Sequence, residues 1–288
     1  MAPVYRDFDH DELAREYSPS SCVEDIAVEL AAYTGRSAAA YRALEVRRDL
    51  RYGPAGPELI DFFPAQGRAP EAGVPLHVFV HGGYWQELDK TDSAFAAPDF
   101  TARGTAYAAV GYGLAPDWPL DVIVDQVRRA VHWLLDHAEE LGVDPGRVQL
   151  SGSSAGAHLA AMALLGPAAP SGRRVNDAVL LSGIYDLEPI SLTYVNDALG
   201  LDAAAARRNS PLHLLADGPA LPPLLLVRGE HETGEFGRQQ EEFAAAARRA
   251  GARVETAVAA GRNHFDLPLD LGRTDTPLGG AAAAQSAP

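Results

Sequence analysis

RVQLSGSSAGAHLAAMALL, residues 147–165, decides how the rest of the chain is read. Its first six residues alternate like a short strand, and from Ala155 onward helix formers dominate. Between them stands Gly152-Ser153-Ser154-Ala155-Gly156, a G-x-S-x-G pentapeptide centred on Ser154. Strand, sharp turn and helix is the setting in which this pattern presents a serine hydroxyl as a nucleophile. The two glycines matter because a side chain at either position would crowd the strand or the helix that meet there. Of the serines at 151, 153 and 154, only Ser154 has that spacing.

Working outward, short apolar or β-branched runs recur at 75–80, 105–110, 147–152, 177–182, 222–227 and 253–258. Helical stretches lie between them, near 92–103, 119–141, 154–166 and 235–250. In the second of these Ile123, Val127, Val131 and Leu134 form a stripe suited to packing on a sheet. Upstream, LEVRRDL and ELIDFF flank YGPAGP (52–57) as the arms of a hairpin. Strand–helix alternation predicts an α/β fold: a mostly parallel central sheet of about eight strands flanked by helices. Ligands then bind on loops at the carboxyl ends of the strands. The expected organisation is an N-terminal helical segment (1–44) packing on the core, an α/β domain (45–270) and a disordered, low-complexity tail (271–288).

Composition narrows the function. Lys and Arg number 24 and Asp and Glu 39, a net charge of −15, which argues against nucleic acid or an anionic membrane as partner. Apolar residues make up 47% of the 288, enough for a sizeable core. One cysteine, Cys22, allows no intramolecular disulfide. No run is long enough to span a membrane, and the first residues lack an apolar signal core. The expectation is a soluble cytoplasmic protein acting on a small molecule, with a homodimer as the assembly to consider.

A serine hydroxyl needs a base, usually a histidine held in one tautomer by a carboxylate. His264, in AGRNHFDLP just after the last strand, is the only one of the nine histidines that follows His231. It is the candidate base. The acid should follow the strand PPLLLV, where RGEHETGEF offers Glu230, Glu232 and Glu235; Asp186, after the preceding strand, is a further candidate. Position favours Glu230 or Glu232 without separating them. For the developing oxyanion, one N–H comes from Ala155, after the nucleophile. A second comes from FVHGGYWQ, where Gly82 and Gly83 bare their backbone amides. His81 is read as shaping that loop, His158 as packing behind the turn, and His77 as a satisfied core residue. No H-E-x-x-H, Cys/His cluster or G-x-G-x-x-G phosphate loop is present, so no metal or other cofactor is expected.

With these residues in place, the chain resembles the α/β-hydrolase superfamily and, within it, the kynurenine formamidase (arylformamidase) group. The likeness is carried by HGGYW (81–85), GYGLAPDWPLDVIVDQVRRAVHWL (111–134), SGSSAGAHLAAM (151–162), SGIYDLEPI with YVNDALGL (182–201), HETGEFGRQ (231–239) and GRNHFDL (261–267). It covers roughly residues 10–270. The resemblance implies the chain order serine, acid, histidine, and puts Glu232 at the acid position, where the family usually has aspartate before S-P-E-F. This chain also has Gly234 at the proline of that run, and Ser153 where histidine is common.

The expected reaction is hydrolysis of an aryl formamide of the N-formylkynurenine kind through an acyl-enzyme on Ser154. Aryl amines leave readily enough for a serine nucleophile to suffice without a metal. Tyr84, Trp85 and Tyr185 are candidates for a flat wall against the aryl ring. The alternatives are a carboxylesterase acting on small acyl esters and, from another class, a non-catalytic ligand-binding protein on the same scaffold.

Overall fold

The computed structural model describes residues 3–68 and 70–285. Eight strands form one sheet: β1 (Arg47–Arg51), β2 (Leu59–Phe63), β3 (Val74–Val80), β4 (Ala106–Val110), β5 (Val143–Ser153), β6 (Asp177–Leu181), β7 (Leu224–His231) and β8 (Val254–Asn263). Their order is β1-β2-β4-β3-β5-β6-β7-β8. The hairpin arms β1 and β2 run antiparallel, and β3 to β8 pair in parallel.

Among the described residues, ten α-helices connect or flank the strands. They are α1 (His10–Glu16), α2 (Ile26–Ala43), α3 (Ala97–Ala102), α4 (Leu120–Asp136), α5 (Ala155–Leu164), the short α6 (Asn196–Leu199), α7 (Ala203–Arg208) and α8 (Pro211–Leu214), then α9 (Gly234–Arg249) and α10 (Pro277–Gln285). The helical stretch expected near 92–103 resolves into a 3-10 turn at Lys90–Asp92 and the short α3.

The central strands are mostly apolar and buried because both faces of the sheet are covered. Alternate residues go to opposite sides, as the two-residue strand period requires. Val78, Val80, Ala178 and Leu180 join Ile123, Val127, Leu134, Leu159 and Phe236 in one core. Phe79, Val179 and Leu181 join Tyr33, Ala40, Phe100, Leu278 and Ala282 in the other.

Residues 277–285 correct one expectation. Rather than part of a disordered tail they form α10, because an alanine-rich run favours helix and Leu278 and Ala282, four residues apart, are buried against the second core. The Ala282 carbonyl also accepts a hydrogen bond from Gln149 Nε2 at 3.1 Å. Residues 286–288 of that tail lie outside the described residues. Among the described residues no helix is long and apolar enough to cross a membrane.

Candidate active site

β5 ends at Ser153 and α5 begins at Ala155, so Ser154 alone makes the turn, with φ 56° and ψ −121°. A non-glycine residue is strained there. The surroundings enforce it. The Ser154 N–H donates to the Leu181 carbonyl at 2.8 Å, tying the turn to the end of β6. A Cβ at Gly152 would collide with the Gly156 carbonyl, and one at Gly156 with the carbonyls of Val80 and His81. The glycine spacing read in the sequence is therefore a packing requirement between β3, β5 and α5.

β7 and β8 bring the acid and the base together. Both strands run longer than their apolar cores suggest, and their last pair is His231 with Asn263. Glu232 and His264 are the first residues beyond the ends of the two strands. His264 Nδ1 lies 3.4 Å from Glu232 Oε2, a long contact of the kind that tightens when the imidazole becomes charged. Glu232 Oε1 accepts from Ser182 Oγ at 2.6 Å and from the Gly229 N–H at 2.7 Å. Burial alone would push the Glu232 carboxyl up; the contacts with His264, Ser182 and Gly229 outweigh it and hold the group below its ordinary value.

The other candidate acids are engaged elsewhere. Glu230 accepts from the Gly261 N–H at 2.7 Å on an exposed edge. Glu235 binds Tyr17 and Arg238, and Asp186 lies 3.4 Å from His213. Ser182, which steadies Glu232, escaped notice in the sequence. Its signal was positional only: it ends the strand that precedes the acid's strand, and its φ is 47°.

The loop after β3 curls over the elbow. Gly83, Tyr84 and Trp85 all have positive φ (94°, 49° and 61°). The Gly83 carbonyl accepts from the Gln86 and Glu87 N–H groups at 2.9 Å. A Cβ on Gly82 would stand 2.8 Å from the Ser153 carbonyl and 3.2 Å from Ser154 Cβ, so only glycine lets this backbone approach the nucleophile. Among the described residues, the N–H groups of Gly82 and Gly83 donate to no protein oxygen. Ala155, the first residue of α5, is fully buried beneath them. His81 braces the loop: its Nδ1 lies 2.9 Å from the Gly82 carbonyl and its ring stacks on Tyr112 at 4.1 Å. Burial lowers its pKa to about 4, so it is neutral.

Ser154, His264, Gly82 and Gly83 face one cavity of about 250 Å³. Tyr84 lines it, its hydroxyl donating to the Tyr17 carbonyl at 2.6 Å. Trp85 and Tyr185 do not, which corrects the reading of them as an aryl wall. Trp85 is 0% exposed and donates through Nε1 to His158 Nδ1 at 3.1 Å. His158 passes the contact on from Nε2 to the Asn209 carbonyl at 2.7 Å, a chain that supports α5 from behind. Tyr185, 1% exposed, stacks on Phe243 at 4.1 Å inside the core. The aromatic walls come instead from Phe79, Phe95, Phe265 and Tyr194. Pro19, Ile26, Leu30 and Tyr33 close one side, so the N-terminal segment builds part of the site. Among the described residues no group of three or more His, Cys, Asp or Glu side chains is placed to hold a metal ion.

The chain is 33% identical to kynurenine formamidase of Danio rerio, over 91% of this chain and 92% of that protein. It belongs to the kynurenine formamidase family. Members of this family and the neighbouring esterases are hydrolases of amide or ester bonds, and this chain is an enzyme of that class. It is 30% identical to esterase LipQ of Mycobacterium tuberculosis over 71% of this chain and 53% of that one. The BD-FAE family model matches residues 61–177, the span from β2 to the start of β6. The α/β-hydrolase architecture recurs in a crystal structure from Silicibacter sp. provisionally assigned as a thioesterase. That structure is 27% identical with a TM-score of 0.81, over 93% of this chain and 98% of that one.

Proposed function

We propose that this kynurenine formamidase homologue hydrolyses an aryl formamide, releasing formate and an aryl amine, with Ser154, His264 and Glu232 as its catalytic triad. The observation that supports this best is the meeting of three elements at one cavity. These are a serine on a strained turn, a histidine held by a buried carboxylate, and a glycine loop with unused N–H groups.

Ser154 Oγ attacks the formyl carbon while His264 takes its proton. The charge that develops on the formyl oxygen is received by N–H groups of Gly82 or Gly83 and Ala155. Glu232, kept ionised by Ser182 and Gly229, fixes the His264 tautomer and stabilises the imidazolium. Collapse breaks the C–N bond, and His264 returns the proton to the aryl nitrogen. Water then attacks the formyl ester on Ser154 while His264 takes its proton. As the ester C–O bond breaks, His264 gives that proton to Ser154 Oγ, and the formyl group leaves as formic acid, which ionises to formate. We also propose a cytoplasmic location, which the single cysteine, unable to form an intramolecular disulfide, supports.

Two measurements test this. A fluorophosphonate probe should label wild type and leave Ser154→Ala unlabelled; equal labelling would remove Ser154 from its role. kcat/KM on N-formylated anilines should exceed that on p-nitrophenyl acetate. A strong preference for the ester would instead favour the carboxylesterase reading, which the similarity to esterase LipQ supports.

A further inference from the structure

Most of the hydroxyls that line the cavity are already bonded to protein. Tyr84 and Tyr194 donate to the Tyr17 carbonyl at 2.6 and 3.4 Å, and Tyr33 donates to the Phe265 carbonyl. Ser93 donates to the Asp89 carbonyl at 3.0 Å, and the Ser20 hydroxyl lies 3.2 Å from that of Ser18. Among the described lining residues two hydroxyls have no protein partner: Ser154, the nucleophile, and Ser153 immediately before it. Ser153 is only 7% exposed, and its Oγ opens on the cavity rather than being sealed in protein. A polar group so enclosed is satisfied only by what enters the cavity.

Its surroundings say what that is. Ser153 ends β5 opposite Leu181 of β6, two residues beyond Ser151, which pairs with Phe79. It therefore shares a sheet face with Phe79. On that face the rings of Phe79 and Phe95 lie 5.3 Å apart, and Phe95 stacks on Tyr33 at 5.3 Å. One hydroxyl thus stands in a largely aromatic wall, beside the reacting serine. In a formamide the acyl carbon bears only hydrogen, so the space beyond the scissile C–N bond belongs to the aryl amine. A ring seated on these walls brings its ortho position nearest the reacting bond, and so nearest the residue next to the nucleophile.

We infer that Ser153 is a specificity-determining residue whose hydroxyl donates to a carbonyl oxygen carried on the substrate ring ortho to the formamide. The inference rests on the formamidase reading for which part of the substrate fills the cavity. A carbonyl at that position also draws electron density through the ring from the departing nitrogen, and the hydrogen bond reinforces the pull. Histidine is common here in the family, so the contact belongs to this chain's own sequence: a larger imidazole would occupy the space that the small hydroxyl leaves open.

The test compares kcat/KM of the full chain on 2′-formamidoacetophenone and on N-(2-isopropenylphenyl)formamide, in which a methylene of the same shape replaces the ketone oxygen. The ketone-to-alkene ratio should fall roughly three- to tenfold in Ser153→Ala, the worth of one hydrogen bond. The intrinsic reactivities of the two compounds cancel between wild type and variant. Ser153→Cys keeps a similar shape with only a weak donor, so its ratio should fall too, and it serves alone if Ser153→Ala folds poorly. A ratio unchanged in Ser153→Ala, or lost there yet kept in Ser153→Cys, overturns the inference. Phenyl acetates bearing the same two ortho groups repeat the comparison on an ester bond. If they are cleaved and the formanilides are not, the formamidase reading fails while the ratio between the esters still decides the role of Ser153.

Discussion

Two chains of serine, histidine and acid cross this sheet, one at each end, and only one is built for catalysis. At the carboxyl ends of the strands stand Ser154, His264 and Glu232. At the amino ends, His77 Nε2 lies 2.6 Å from Ser151 Oγ, His77 Nδ1 lies 2.7 Å from Gln149 Oε1, and Gln149 Nε2 donates to Asp177 at 2.5 Å. The residue types match; the wiring differs. An amide separates Asp177 from the imidazole, so no carboxylate stabilises a charged ring. Burial lowers the His77 pKa to about 3, with Phe100 stacked on it at 4.0 Å. Ser151 is buried within β5 with its hydroxyl bonded to the Val78 carbonyl, whereas Ser154 stands on the strained turn. A triad is thus defined by direct carboxylate contact and by access, not by which residues are near one another.

The largest expected difference is at the serines. Ser154→Ala should lower kcat by roughly six orders of magnitude, and Ser151→Ala should leave it within a few-fold while lowering stability. A comparable loss from Ser151→Ala in folded protein would move the chemistry to the wrong end of the sheet. Next come the acids. Glu232→Gln should cost about 10⁴ in kcat, since the amide no longer fixes the productive tautomer.

The two acids should also give opposite pH slopes in stability. Burial raises the Asp177 pKa from 3.8 to about 6, so the folded state holds its proton where the unfolded state has lost it. Its stabilisation is complete below the unfolded value and fades as pH rises through about 6. Urea titrations should show wild type losing up to about 3 kcal/mol relative to Asp177→Asn across that window, and nothing more above it. Glu232 is held below its ordinary 4.5, so its stabilisation is present above that value and fades as pH falls through the lower folded value. Equal slopes for Asp177→Asn and Glu232→Gln would erase the distinction. The smallest effect belongs to Glu230→Gln, which breaks an exposed contact to Gly261 and should change kcat by less than about threefold.

Much of the active end was legible because it is written in local pattern. Ser154 is announced by glycine spacing and by the switch from a two-residue to a helical period within a few positions. His264 follows from where the last strand ends; strand position left Glu230 and Glu232 open, and the family resemblance alone favoured Glu232. What stayed hidden depends on contacts between distant segments: the register of β7 and β8 that aligns Glu232 with His264, the Ser182 hydroxyl beneath the acid, and α2 forming a wall of the cavity. Trp85 shows the limit from the other side. Its place in HGGYW marks a functional loop, but nothing local says that its indole turns inward to His158. Low-complexity composition likewise suggested disorder at 277–285, where the packing of Leu278 and Ala282 adds to the helix preference of alanine.

The turn at Ser154 sets durability against activity. Glycine tolerates φ 56° and ψ −121° far better than serine does. Ser154→Gly should therefore be dead yet melt above wild type, with a net gain of about 1 kcal/mol once the looser unfolded chain is counted. Under selection for heat survival alone, the first residue this enzyme would surrender is the one it exists to present.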